Sequence, residues 1–251
     1  MRTRLIQIIT GSASAVIGLM AASINALAQS PAQRPLTDFS KLKNGDIVFI
    51  ESNSERAPAI KKLTGSNLTH CGIVFRDKQN KWIVYEGAGY PGIYRELGEW
   101  IGRESGNGKK NPIYVRRLTD KDGRLSSKIE TLRKKARELH DTSYDFGFAW
   151  ENKDSSGKEY IYCSELVWKA FKAAIGVALE KPHALGDYIT KKPDGKERTA
   201  TERTAVEADF DYYLNNKKSK DHRNGQPYQR GELAISPVEV FASTELDAVS
   251  D

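Results

Sequence analysis

Residues 70–75 read His-Cys-Gly-Ile-Val-Phe and residues 81–86 read Lys-Trp-Ile-Val-Tyr-Glu, with the polar run Arg76-Asp77-Lys78-Gln79-Asn80 between them. Two short runs rich in β-branched and aromatic residues, joined by a polar turn, predict an antiparallel hairpin. If Phe75 pairs with Lys81, counting back along both strands sets His70 directly opposite Glu86, with Cβ atoms about 5 Å apart on one face. A carboxylate at that range accepts an imidazole N–H, fixes the tautomer and leaves the other ring nitrogen as a base. The same juxtaposition also suits a surface His–Glu pair with no chemistry. Because side chains alternate along a strand, Cys71 points to the opposite face, across from Tyr85 and beside Ile73, Phe75 and Ile83, where it reads as a core residue.

Asn44-Gly45 is a turn that opens a strand over 46–50, and residues 113–118 form a further candidate strand. Leu125, Ile129, Leu132, Ala136 and Leu139 recur at steps of four and three, one apolar stripe of a helix whose basic residues face solvent. A second helix is predicted over 163–175, with Cys163, Leu166, Val167, Ala170, Phe171 and Ala174 on one face and Gly176 as its stop. Cys163 thus stands at a helix amino terminus, where unsatisfied N–H groups and partial positive charge favour a thiolate and can hold an oxyanion. A small buried core residue is the alternative reading of that position. Residues 190–232 are highly charged and poor in apolar runs, which predicts a surface excursion. Ser236-Pro237 then reads as a cap and first-turn proline, returning the chain in a short helix.

The formal net charge of +6 over 251 residues drops by two without Arg2 and Arg4, and no long basic run is interleaved with aromatics, so nucleic acid is not an expected partner. Arg2 and Arg4 precede an apolar stretch, Leu5 to Leu27, that closes on Ala26-Leu27-Ala28. That order predicts a secretory signal peptide over 1–28, cleaved before Gln29, then a linker over 29–40 and one domain over 41–245. Polar residues dilute the apolar stretch, so it is not expected to remain as a membrane anchor, and no stable membrane span is expected after cleavage. Two cysteines make no disulfide framework. Four scattered histidines give no metal-ligand spacing and no glycine loop cradles phosphate, so no metal and no cofactor are expected.

Gly45-Asp46-Ile47-Val48-Phe49 followed by His70-Cys71-Gly72-Ile73-Val74 resembles the signatures of NlpC-type cell-wall peptidases. In the usual members the nucleophile helix precedes these strands; here Tyr162-Cys163-Ser164-Glu165-Leu166-Val167 follows them. That order resembles the circularly permuted, YiiX-like branch of papain-fold amidases, and the likeness extends to Tyr85-Glu86, Tyr144-Asp145 and Ile235-Ser236-Pro237. The resemblance implies an α+β, papain-like fold with a small antiparallel, barrel-like sheet packed against the nucleophile helix. It implies a cysteine peptidase or amidase with Cys163 as nucleophile, His70 as base and Glu86 as third residue. Tyr162 and Ser164 flank the nucleophile as substrate-binding candidates, although core packing suits Tyr162 and capping suits Ser164 equally well. Tyr144 is a further candidate for reaching the cleft, next to Asp145 in what also reads as a structural turn. Peptide or acyl-amide substrates are implied, with peptidoglycan fragments first, lipid-directed acyl chemistry of the lecithin:retinol acyltransferase type second, and an inactive wall-peptide binding module third.

Overall fold

The computed structural model describes residues 33–251 apart from 121, 149, 151, 154–155, 193–194 and 215–227. The signal-peptide expectation for 1–28 and the first residues of the linker therefore lie outside the described residues. In chain order the principal elements are β1 (Asp46–Ile50), α1 (Ala57–Thr64), β2 (His70–Arg76), β3 (Trp82–Tyr85), β4 (Arg95–Glu96), α2 (Leu97–Ser105), β5 (Ile113–Leu118), α3 (Arg124–His140), β6 (Ser143–Tyr144), β7 (Tyr160–Ile161), α4 (Cys163–Ile175), β8 (His183–Ala184), α5 (Leu185–Thr190), α6 (Ala200–Leu214), β9 (Leu233–Ala234), α7 (Pro237–Ala242) and β10 (Leu246–Val249). Among the described residues, no helix is long and apolar enough to cross a membrane.

The main sheet is antiparallel, in the order β10-β5-β1-β2-β3-β4. It is an open sheet with β10 and β4 at its ends rather than a closed barrel. Both faces are covered, so its central strands are apolar throughout rather than alternating with polar residues. On one face Ile47, Phe49, Cys71, Ile73 and Phe75 pack with Leu132 and Ala136 of α3 and with Leu166, Val167, Ala170 and Phe171 of α4. On the other, Val48, Ile50, Val74, Val84 and Val115 pack with Leu97, Trp100 and Ile101 of α2. The sheet thus holds α4, which begins at Cys163, against one face, and α2 against the other.

The β2–β3 hairpin departs from the predicted register. Arg76 pairs with Trp82, Val74 with Val84 and Ile73 with Tyr85, two residues away from the expected pairing. The cause lies in the turn. The Asp77 carboxylate accepts from the N–H groups of Gln79 (2.9 Å) and Lys81 (2.8 Å), Asn80 adopts φ 63°, and the Asp77 N–H closes onto the Lys81 carbonyl at 2.9 Å. Lys81 is drawn into the loop. Because the shift is even, every side chain keeps its face, and His70 and Glu86 become diagonal neighbours rather than a direct pair.

The stretch 190–232 is not only a surface excursion. α6 runs through it and buries Val206, Phe210 and Leu214 against Leu185 and Ile189 of α5 and Ala234, a third apolar cluster separate from those on the sheet. Ser236 does cap α7: its side chain accepts from the Glu239 N–H while Glu239 reaches back to the Ser236 N–H.

Candidate active site

His70 is the first residue of β2, paired with Ile50 at the end of β1, so it sits at the end of the sheet and not over its middle. Its Nε2 lies 2.5 Å from Oε2 of Glu86. That carboxylate is buried, 1% exposed, and is held from α2 as well: Trp100 Nε1 donates to it at 2.7 Å and Arg103 at 2.5 Å. The Trp100 ring also stacks on His70, with centroids 5.7 Å apart. Burial alone would raise the Glu86 pKa, but the hydrogen bond and charge of His70, the Arg103 charge and the Trp100 bond outweigh it and lower it to about 2. His140, to which the sequence assigned no role, buttresses the same residue. Its Nδ1 lies 2.9 Å from the Glu86 carbonyl oxygen and 3.1 Å from the Glu86 backbone nitrogen, and its Nε2 lies 3.1 Å from the Ile93 carbonyl oxygen.

Cys163 opens α4 after Tyr162, whose backbone is extended at φ −109°, ψ 170° and whose carbonyl accepts the first helical bond from the Leu166 N–H at 2.9 Å. Its thiol meets the end of β2, where it interacts at once with the His70 ring and with the thiol and N–H of Cys71. The Cys71 thiol bond is the largest influence lowering the Cys163 pKa; burial opposes it; the His70 charge, the His70 hydrogen bond and the Cys71 N–H carry it well below the ordinary thiol value. For His70, burial acts downward, but the charges of Glu104 and Cys163 and the bonds to Cys163 and Glu86 together raise its pKa well above that of an ordinary histidine. Since Nε2 is committed to Glu86, Nδ1 is the nitrogen that exchanges a proton with the thiol. Both shifts favour a thiolate beside an imidazolium.

Cys71 is buried, as its strand face predicted, and neither cysteine is bonded in a disulfide. Yet it is not remote from the site, because Cys163 stands at the strand end, where residues 70 and 71 are both in reach. Burial first, then the hydrogen bond and charge of Cys163, push the Cys71 thiol well up, so it remains a neutral donor.

The flanking candidates take structural roles in their polar atoms. The Tyr162 hydroxyl accepts the Ile235 N–H at 3.0 Å and Ser164 Oγ donates to the Ile235 carbonyl at 2.7 Å, so the two side chains hold the backbone of Ile235 from both sides. Tyr144 lies near the thiol: burial, then the Cys163 charge, raises its pKa. Its ring stands edge-on to Phe146 at 5.1 Å. Asp145 makes the turn, accepting from the Gly147 N–H at 2.6 Å and Asn152 Nδ2 at 3.0 Å.

Gly87 follows the carboxylate and lies directly on the nucleophile's backbone. A Cβ there would stand 2.7 Å from the Tyr162 carbonyl carbon and 3.0 Å from the Cys163 nitrogen. Backbone cannot yield as a side-chain tip does, so Gly87→Ala should push the start of α4 away from His70 and cost about 1–3 kcal/mol. The expected outcome is a folded protein whose melting temperature falls and whose Cys163 alkylation slows towards that of a free thiol. Wild-type alkylation in this variant would show that the close approach is unimportant.

Among the described residues, His70, Glu86 and Glu104 bring one potential ligand atom each within 4.8 Å of one another. Arg103 fills that space: its guanidinium bonds both Glu86 (2.5 Å) and Glu104 (2.6 Å), while Glu86 also accepts from Trp100 and His70. A dication would have to displace the guanidinium and break the His70–Glu86 bond, so these residues fit a hydrogen-bonded triad and not a metal centre.

A histidine–carboxylate pair on an antiparallel sheet, facing a cysteine at the start of a helix that comes later in the chain, defines a papain-like thiol amidase in permuted order. The chain belongs to the permuted papain-like amidase family YaeF/YiiX, C92, whose profile matches residues 41–249. It is 30% identical over 210 residues to the protein YiiX of Escherichia coli (strain K12), covering 83% of this chain and 86% of that one. It is similar also to the crystal structure of metalloprotein YiiX from Escherichia coli O157:H7, with a TM-score of 0.61, 27% identity, and coverage of 84% of this chain and 98% of that one.

Proposed function

We propose that the chain is an exported cysteine amidase in which Cys163, His70 and Glu86 act as nucleophile, acid–base and orienting residue. What carries this reading is the thiol at the start of α4 beside a histidine whose Nε2 is held 2.5 Å from a buried carboxylate. The thiolate attacks an amide carbonyl carbon, forming the C–S bond. The oxyanion faces the first N–H groups of α4. His70 Nδ1–H protonates the departing nitrogen as the C–N bond breaks. Water, deprotonated by the now neutral His70, then cleaves the thioester and restores the ion pair. Nothing in this sequence requires an external cofactor. The relative described as a metalloprotein does not change the reading, because Arg103 neutralises the carboxylates that a cation would need.

Export is supported by the charged, apolar and small-residue order of residues 1–28. An exported amidase meets the amide bonds of wall peptides, and peptidoglycan fragments and extracted lipids are the two substrate fractions to assay. An inactive binding module is the weaker reading, because the ion pair at Cys163 and His70 serves turnover and not recognition. The test is mass spectrometry of both fractions incubated with the protein and with Cys163→Ala. Amide cleavage that requires Cys163, with its peptide alkylated by iodoacetamide far faster than that of Cys71, is the expected result. Cleavage by both proteins, or preferential labelling of Cys71, would overturn the assignment.

A further inference from the structure

The chain has two cysteines, and the mechanism above uses one of them. The fold nevertheless brings both to one point. Cys71 is the second residue of β2, on the sheet face that packs against α4, and it shares an apolar cluster with Cys163. The start of α4 is pressed onto the end of the sheet, where a Cβ on Gly87 would stand 3.0 Å from the Cys163 nitrogen. Within this contact the Cys163 sulfur accepts from both the thiol and the backbone N–H of Cys71. A sulfur that meets its neighbour's thiol and N–H together lies beside that residue's backbone, and a disulfide needs Cα atoms within about 7 Å of each other. Both thiols are free.

The two sulfurs are unequal. Cys163 is 4% exposed and must be reached by a substrate, so a hydroperoxide, smaller than any peptide, reaches it too. Its surroundings favour the thiolate, the form that peroxides oxidise. Cys71 is fully buried and held neutral, in part by the Cys163 charge. That restraint ends when Cys163 is oxidised, because a sulfenic acid carries no charge. Cys71 is thus shielded from direct oxidation and becomes reactive once Cys163 has been attacked.

We propose that Cys71 is a resolving thiol: hydroperoxides oxidise Cys163, and Cys71 then captures it as a disulfide that switches the amidase off reversibly. This rests on Cys163 acting as the nucleophile, as above. The thiolate attacks one peroxide oxygen and the O–O bond breaks. The departing alkoxide or hydroxide takes the proton from His70, leaving a sulfenic acid on Cys163. The Cys71 sulfur then attacks the Cys163 sulfur, the S–O bond breaks, and the hydroxide leaves as water with the Cys71 proton. Two thiols are oxidised to one disulfide, and the peroxide is reduced to an alcohol or water plus the water released. A thiol reductant reverses the bond by exchange. Without Cys71 the sulfenic acid goes on to sulfinic and sulfonic acids, which such reductants do not restore. An exported amidase, outside the reducing pools of the cytosol, meets the conditions in which this protection matters.

The test uses the full chain, first reduced and then treated with a small excess of hydrogen peroxide, and is read by intact and peptide mass spectrometry. Wild type should lose two hydrogens, yield a linked Cys71–Cys163 peptide, and lose amide cleavage that dithiothreitol restores in full. Cys71→Ala and Cys71→Ser, with folding checked by circular dichroism, should instead gain two or three oxygens on Cys163. The activity each variant had before treatment should not return. If neither variant folds, the wild-type peptide alone decides. Oxygens gained on wild-type Cys163 without the linked peptide, or full recovery of treated Cys71→Ala, would overturn the inference while leaving the thiol mechanism standing. A linked peptide in a protein whose reduced form cleaves no amide would overturn the mechanism and the regulatory role with it.

Discussion

Folded Cys163→Ala is expected to lose covalent turnover entirely, and His70→Ala to fall by about 10²–10⁴-fold, the usual worth of positioned acid–base catalysis. The two losses have different origins. Cys163 supplies the electrons of the new C–S bond, and neither the neighbouring Ser164, bonded to the Ile235 carbonyl, nor Cys71, held neutral by burial and by Cys163, can substitute for it. In the proposed mechanism His70 both keeps the thiol ionised and protonates the leaving group. Removing it takes away the largest positive charge acting on Cys163 and leaves the Cys71 thiol and N–H as its remaining partners. The Cys163 pKa should then rise towards or beyond the ordinary value of about 8.5. Wild-type alkylation should stay fast below neutral pH, whereas in His70→Ala it should fall about tenfold per pH unit there. Hydrolysis rates and the pH dependence of iodoacetamide labelling, with circular dichroism to check folding, measure both effects. A folded His70→Ala with wild-type activity and an unchanged labelling profile would return Cys163 to the status of a core residue.

The proposed triad is legible in the sequence because two of its members lie on a period-two element and the third at a helix start. Face assignment in a strand depends only on parity, so the His70–Glu86 pairing survived a hairpin register that was wrong by two. The turn that set the register was harder to read, because it depends on one carboxylate, Asp77, capturing two amides. The helix behind Glu86 is also legible as spacing. Leu97, Trp100, Ile101 and Glu104 have the spacing of a helix face, and they bring Arg103 and Trp100 to Glu86. In the charged stretch the signal is present as spacing and not as runs: Val206, Phe210 and Leu214 recur every four residues among polar ones, enough to seat α6 against α5. What no periodicity could give is the meeting of Cys163 with Cys71. Alternation places Cys71 on the other face from His70, but at the end of a strand a residue beyond the sheet reaches both.

Glu86→Gln is expected to cost more in stability than in rate. In the rate, the Gln carbonyl oxygen still accepts the His70 N–H and holds the ring, so the loss should be smaller than that of His70→Ala. In stability, the carboxylate is 1% exposed and accepts from His70, Trp100 and Arg103 together. An amide has one acceptor oxygen where the carboxylate has two, so its NH₂ must face one of those donors, and the charges on Arg103 and His70 lose their partner. Breaking a buried pair typically costs about 3–5 kcal/mol. The fall of the Glu86 pKa from 4.5 to about 2 corresponds to roughly 3 kcal/mol of folding free energy, of which the His70 contact is a shared part and not an addition. For a domain of this size that is a drop of roughly 10 °C in melting temperature. The pH dependence has a definite sign. A carboxyl whose pKa is depressed in the folded state stabilises above its unfolded value, and that contribution disappears as the pH falls through the folded one. The stability gap between wild type and Glu86→Gln should therefore be full above pH 4.5 and shrink as the pH falls towards about 2. His70 adds an opposite edge. Its folded pKa lies above 6.5, so its share is complete below that value and is lost as the pH rises through the folded one. Thermal melts of both proteins across pH check the pair of edges. A gap that is absent at neutral pH, or that stays constant into acid, would mean that Glu86 is not the charged anchor of His70.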